Sequence, residues 1–200
     1  AKKVRALTGK AAAASRRPFT LNELKRVLAV ADCEWSGMLL TGLYTGQRLG
    51  DIARLTWAAI DLQEEVIALN TGKTGRRVIL PIAGPLLNHL IDLPASDNPT
   101  APLFPKADAI VGKYGNVSKL SQQFNKLLAV AGLVSPRKKK NTGRGNSVAR
   151  ESQGISFHAL RHTATSLLKN AGIGEAVAMD IIGHESKEIS RSYTHIETSA

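Results

Sequence analysis

The sequence predicts a mainly α-helical (α+β) domain with one small antiparallel β-hairpin, on three observations. Capped stretches with apolar residues at helical spacing recur along most of the chain. Two short apolar runs, Val66 to Leu69 and Val78 to Leu80, read as strands, and the turn-forming residues Asn70 to Gly75 between them make a hairpin. The 200 residues, 43% of them hydrophobic, suffice for one ordinary buried core.

Taken in order, Thr20-Leu21-Asn22-Glu23 has the Thr-x-x-Glu spacing of a capping box, followed by Leu24, Val27, Leu28 and Val30, so a helix opens the folded domain just after Pro18. A second helix is expected from about Glu34 to Tyr44, stopped by Gly46, and a third from Leu49 to Leu55, which sets Arg48 at a helix start. The hairpin comes next, ended by Pro81, with Lys73 at or near its tip. Helices then follow from Pro85 to Asp92, capped by Gly84, and from Val117 to Ala131, between Asn116 and Gly132. Residues 134 to 155 are rich in Lys, Arg, Gly, Ser and Asn; they offer too little apolar surface to offset ordering entropy and read as a flexible basic loop. The last expected helices span His158 to Asn170, Gly174 to Ile182 and Ile189 to about Tyr193.

Cys33 is the only cysteine, so no internal disulfide can form; it is expected in the core, and the chain reads as a protein of a reducing cytoplasm. No stretch approaches the roughly 18 apolar residues of a membrane span, and the basic N-terminus lacks the apolar region of a secretion signal. Neither membrane insertion nor secretion is expected.

The net charge of +11 is unevenly placed. Residues 1–17 carry Lys2, Lys3, Arg5, Lys10, Arg16 and Arg17 with no acid, and residues 134–155 carry Arg137, Lys138, Lys139, Lys140, Arg144 and Arg150 against Glu151 alone. Those two segments hold the whole surplus; the rest balances 15 basic against 15 acidic residues. Such cationic segments suit a polyanion, neutralising phosphates and releasing counterions without reading sequence. A solvated linker and a solvated loop would have the same composition.

The candidate chemistry lies in scattered boxes. His158-Ala159-Leu160-Arg161-His162 places His158, Arg161 and His162 on one helical face, where an imidazole and a guanidinium can converge on one small anion. Read as a zinc pair, the two histidines lack the acidic neighbour of a His-Glu-x-x-His site, because position 159 is Ala; His162 reads as structural. Thr71-Gly72-Lys73-Thr74 is not a nucleotide loop, since Ile67 stands where the first glycine is needed and a strand follows instead of a helix. Gly183-His184 precedes Tyr193 by nine residues, and Arg48 sits far upstream in Thr45-Gly46-Gln47-Arg48-Leu49-Gly50-Asp51. Taken alone, Lys73 is a solvated turn lysine and Tyr193 a half-buried packing residue; their weight comes from the set. One phenol, two guanidiniums, two imidazoles and a lysine are the groups needed to open a DNA strand without a metal.

In order and spacing these boxes resemble the tyrosine recombinase (phage integrase) family, from Pro18 to Glu197. The resemblance implies a catalytic domain over residues 18–200 and a basic linker over residues 1–17 that would join it to an N-terminal DNA-clamping domain. It implies that Arg48 and Arg161 bind the nonbridging oxygens of a scissile phosphate, that Tyr193 is the nucleophile forming a 3′-phosphotyrosyl link, and that Lys73 protonates the leaving 5′ oxygen. His158 would act as base or hydrogen-bond donor, His184 would donate to the phosphate, and Asp51 would orient the basic side chains. Arg76, Arg77, Lys138, Lys139 and Lys140 are the candidate DNA contacts. No metal or other cofactor is implied. The implied partner is duplex DNA with specific sites, engaged by a homotetramer of the full-length protein with or without accessory DNA-bending proteins, in a prokaryotic cytoplasm. Gln47 replaces an apolar residue common in the family, a change expected to be harmless, and only Thr194 to Ala200 follow Tyr193, which puts exchange of a C-terminal helix in doubt. Two rival readings are a type IB topoisomerase and a DNA-binding regulator that kept the fold without the chemistry.

Overall fold

The structure, a computed structural model, describes residues 17–72, 75–136 and 154–182. Among them are eight α-helices and one three-stranded antiparallel sheet. Helix α1 (Leu21–Val30) opens with the capping box expected: Thr20 Oγ1 accepts from the Glu23 amide, and the Glu23 carboxylate accepts from the Thr20 amide. Leu24 and Val27 are the face it buries. Helix α2 (Cys33–Thr45) is capped by Asp32 and ended by Gly46 in the left-handed region, with φ 65°. It runs through the middle of the molecule, packing on α3 (Leu49–Ile52), α4 (Gly84–Ile91) and α7 (Ala159–Asn170). Cys33 is exposed and does not join the core as expected: it is the first residue of α2, on the solvent side of a cap, while Met38 and Leu39 are the buried positions.

Helix α3 stops three residues short of the expected Leu55. The Leu55 carbonyl accepts from Leu103 and the next residue bridges to Pro102, so tertiary pairing takes over backbone groups that another helical turn would use. Strands β1 (Ile60–Asp61), β2 (Val66–Asn70) and β3 (Arg77–Pro81) are ordered β1-β2-β3, with Leu69 opposite Val78 and Ile67 opposite Leu80. Those four side chains are buried, as alternation across a half-covered sheet requires. Pro81 is the last residue of β3, opposite Val66, and is tolerated in the ladder because β3 is an edge strand.

Helix α5 (Pro105–Tyr114) was not expected from periodicity; its signals are proline at the first helical position and Gly115 at φ 65° as its stop. It packs on α6 (Ser118–Val130), which also covers α1. Asn116 lies one residue ahead of the expected position, before the N-cap residue Val117 of α6, and its Oδ1 accepts from the Ser118 amide. Ile155, expected in the basic loop, is a core residue. The final described helix, α8 (Glu175–Ile182), lies against α7. No described helix is long and apolar enough to cross a membrane.

Candidate functional site

The site is assembled where α2 ends and α7 begins. Trp35 of α2, Phe124 of α6 and Phe157 form a three-ring cluster, Trp35 stacked on Phe124 at 5.7 Å and Phe157 meeting Phe124 edge to face at 5.3 Å, which anchors the segment that enters α7. Gly42 lets α2 and α7 approach closely: a Cβ there would lie 3.0 Å from both Leu160 Cδ1 and Phe157 Cζ. His158 is the N-cap residue of α7, and Arg161 and His162 fall in its first turn. Helical spacing brings the His158 and His162 rings edge to face at 5.7 Å. His162 is buried, in keeping with a structural role.

Arg161 is only 3% exposed. Its Nη1 donates to the Gly46 carbonyl at 2.8 Å. A guanidinium is a rigid planar fork, so this bond directs one N–H at the loop carbonyl and restricts where its remaining donors can point. The acceptor stands two residues before Arg48, which caps α3 and whose side chain is 30% exposed. The Gly46 bond therefore ties the two arginines of the set to one loop. Arg48 Nη1 lies 4.0 Å from Asp51 Oδ2. Asp51 Oδ1 accepts from the Gly72 amide at 2.9 Å, so the same carboxylate holds the hairpin next to Lys73. A cavity of about 210 Å³ opens between this loop, α6 and the start of α7, lined by Gln47, Arg48, Ser121, Asn125, Ser156 and His158 among others. One water needs only about 10–15 Å³ measured this way, so the space admits a larger polar group.

Of the residues singled out in the sequence, Arg48, Asp51, His158 and Arg161 come together here. Arg76, just before β3, and Arg77, its first residue, are exposed. Lys73, His184, Tyr193, Lys138, Lys139 and Lys140 lie outside the described residues, as does the expected helix from Ile189. Two contributors were given no role from the sequence: the Gly46 carbonyl, which is backbone, and Gln47, noted there only as a departure, which hydrogen-bonds the end of α8.

The model of the Phage integrase family matches residues 18–199. Tyrosine recombinase XerC of Roseiflexus sp. (strain RS-1) is 27% identical over 154 residues, covering 76% of this chain and 44% of the relative. The chain thus spans less than half the length of the curated relative it matches. Among solved structures, XerA recombinase is similar with a TM-score of 0.66 at 22% identity, over 92% of this chain and 62% of that one. A lambda integrase tetramer bound to a Holliday junction is similar with a TM-score of 0.56 at 17% identity, over 96% of this chain and 51% of that one. At these identities the structural likeness is one of fold.

Proposed function

The chain belongs to the phage integrase family, and from that premise we propose that residues 18–200 are the catalytic domain of a site-specific DNA recombinase acting for a mobile element, with residues 1–17 as a basic linker. The observation that carries the reading is the Arg161 bond to the Gly46 carbonyl, beside Arg48, with His158 on the same cavity. Two guanidiniums held to one loop form a preorganised receptor for one phosphate, since no reorganisation is needed as negative charge builds on its nonbridging oxygens.

In the proposed reaction the Tyr193 oxygen attacks the phosphorus, the bond to the 5′ oxygen breaks, and a 3′-phosphotyrosyl link replaces the phosphodiester. The phenol proton passes to His158, and Lys73 supplies a proton to the departing 5′ oxygen. A second strand's 5′-hydroxyl then reverses the step, which conserves the bond energy and needs neither metal nor ATP. The Asp51 bond to the Gly72 amide supports the assignment of Lys73, because it holds the residue next to Lys73 against the arginine loop. Duplex DNA is the partner we propose, in a prokaryotic cytoplasm; the lambda integrase tetramer on a junction supports a tetramer as the working assembly, on two sites.

The test is to incubate the chain, beside Tyr193→Phe and Arg161→Ala variants, with a library of nicked random-sequence duplexes and to sequence DNA that stays attached after denaturation. Adducts from the unmutated chain alone are expected. No adduct, with DNA binding verified at low salt and with an N-terminal DNA-clamping domain fused ahead of residue 1, would leave the non-catalytic regulator. Relaxation of supercoiled plasmid without a preferred site would favour the topoisomerase.

A further inference from the structure

Gln47 stands between the glycine whose carbonyl receives Arg161 and Arg48 itself, and it is 3% exposed. Its Nε2 donates to the Thr45 carbonyl at 3.1 Å and to the Ile181 carbonyl at 3.4 Å. Both partners are carbonyl oxygens, which can only accept, so the nitrogen must face them. That orientation leaves Oε1 buried with no hydrogen-bond partner among the described residues. The cost of an orphaned buried oxygen roughly cancels what the two bonds return, so the amide adds little net stability. What it adds is a connection across 134 residues of sequence. Ile181 lies in the last turn of α8, three residues before His184. Beside it, Ile182 packs so tightly on Gly46 that a Cβ there would collide with Cδ1.

We propose that Gln47 is a positioning residue, locking the C-terminal turn of α8 to the arginine loop so that the segment bearing His184 departs from a fixed point beside Arg48 and Arg161. The inference rests on the recombinase reading for its chemistry and on geometry alone for the tether. An apolar side chain of similar volume cannot donate to Ile181, so the tether depends on the amide.

The test compares Gln47→Met, which keeps length and volume without the donor, with Gln47→Glu, which sets a carboxylate against two carbonyls. Covalent adduct formation at saturating DNA should slow roughly five- to ten-fold in Gln47→Met, the worth of one hydrogen bond, with DNA affinity unchanged, and more in Gln47→Glu. On a His184→Ala background Gln47→Met should add no further loss, because both changes act through one group. Amide hydrogen exchange should speed up in the last turn of α8 but not in α1. Losses that multiply, or an exchange pattern identical to that of the unmutated chain, would overturn the proposal. Should neither the unmutated chain nor its fusion to an N-terminal DNA-clamping domain form an adduct, the cleavage reading falls, and the exchange comparison still decides the tether.

Discussion

Gly46 does two jobs that no other residue type can combine. Its backbone sits at φ 65°, where a Cβ is disfavoured, and its Cα hydrogens face Ile182 at a distance that excludes a methyl group. Gly46→Ala should therefore destabilise the fold by roughly 1–3 kcal/mol, from backbone strain plus overpacking, read as a lower urea midpoint at unchanged slope. A smaller loss would mean that α8 shifts outward, and DNA cleavage should then fall by more than stability does. The glycine was legible in the sequence as a helix stop. Its role as acceptor for Arg161 was not, because a carbonyl has no residue identity to read.

At the scale of elements, the caps and tethers decide how each helix and strand is held. The start of α1 gathers Arg17, Thr20 and Glu23: the Arg17 guanidinium donates two bonds to the Glu23 carboxylate, which also accepts from the Thr20 amide. Those bonds hold the Glu23 carboxyl down to about 2, chiefly through Arg17 and against the opposing effect of burial. A carboxyl depressed in the folded state stabilises it fully above its unfolded value near 4.5, and that contribution is lost as pH falls from there through about 2. With Arg17 largely in solvent, the contribution is about 1 kcal/mol after screening. Thermal melts between pH 6 and pH 2 should therefore lose this increment in the native chain and lack it in Glu23→Gln. The capping box was legible because its partners are three residues apart; helix α5 was not, since its apolar positions are sparse and its place depends on covering α6.

Across the whole molecule, charge and fold are separable. The described body is close to neutral, whereas the surplus charge sits in residues 1–17 and 134–155. Nonspecific DNA affinity should thus depend on those two segments and site chemistry on the rest of the chain. Deleting residues 1–16 removes Lys2, Lys3, Arg5, Lys10 and Arg16. Each lost phosphate contact should flatten the plot of log affinity against log salt by about 0.9, while the melting temperature stays within a degree or two. Were the slope unchanged, those lysines and arginines would not touch DNA.

The sequence by itself determined the helical class, the hairpin and the α1 cap, and it singled out Arg48, Asp51, His158 and Arg161, which the fold brings to one region. Local periodicity, capping and turn chemistry act over a few residues, so they are written along the chain, and the order of the boxes carries the family. Only the tertiary structure decided that α3 yields its last turn to pairing with Leu103, that Cys33 faces solvent, and that Gln47 reaches α8. Each of those depends on groups brought together from distant positions, as Gly46 and Arg161 are across 115 residues. Such contacts are set by how helices pack, and packing is a property of pairs of surfaces that no single stretch of sequence contains.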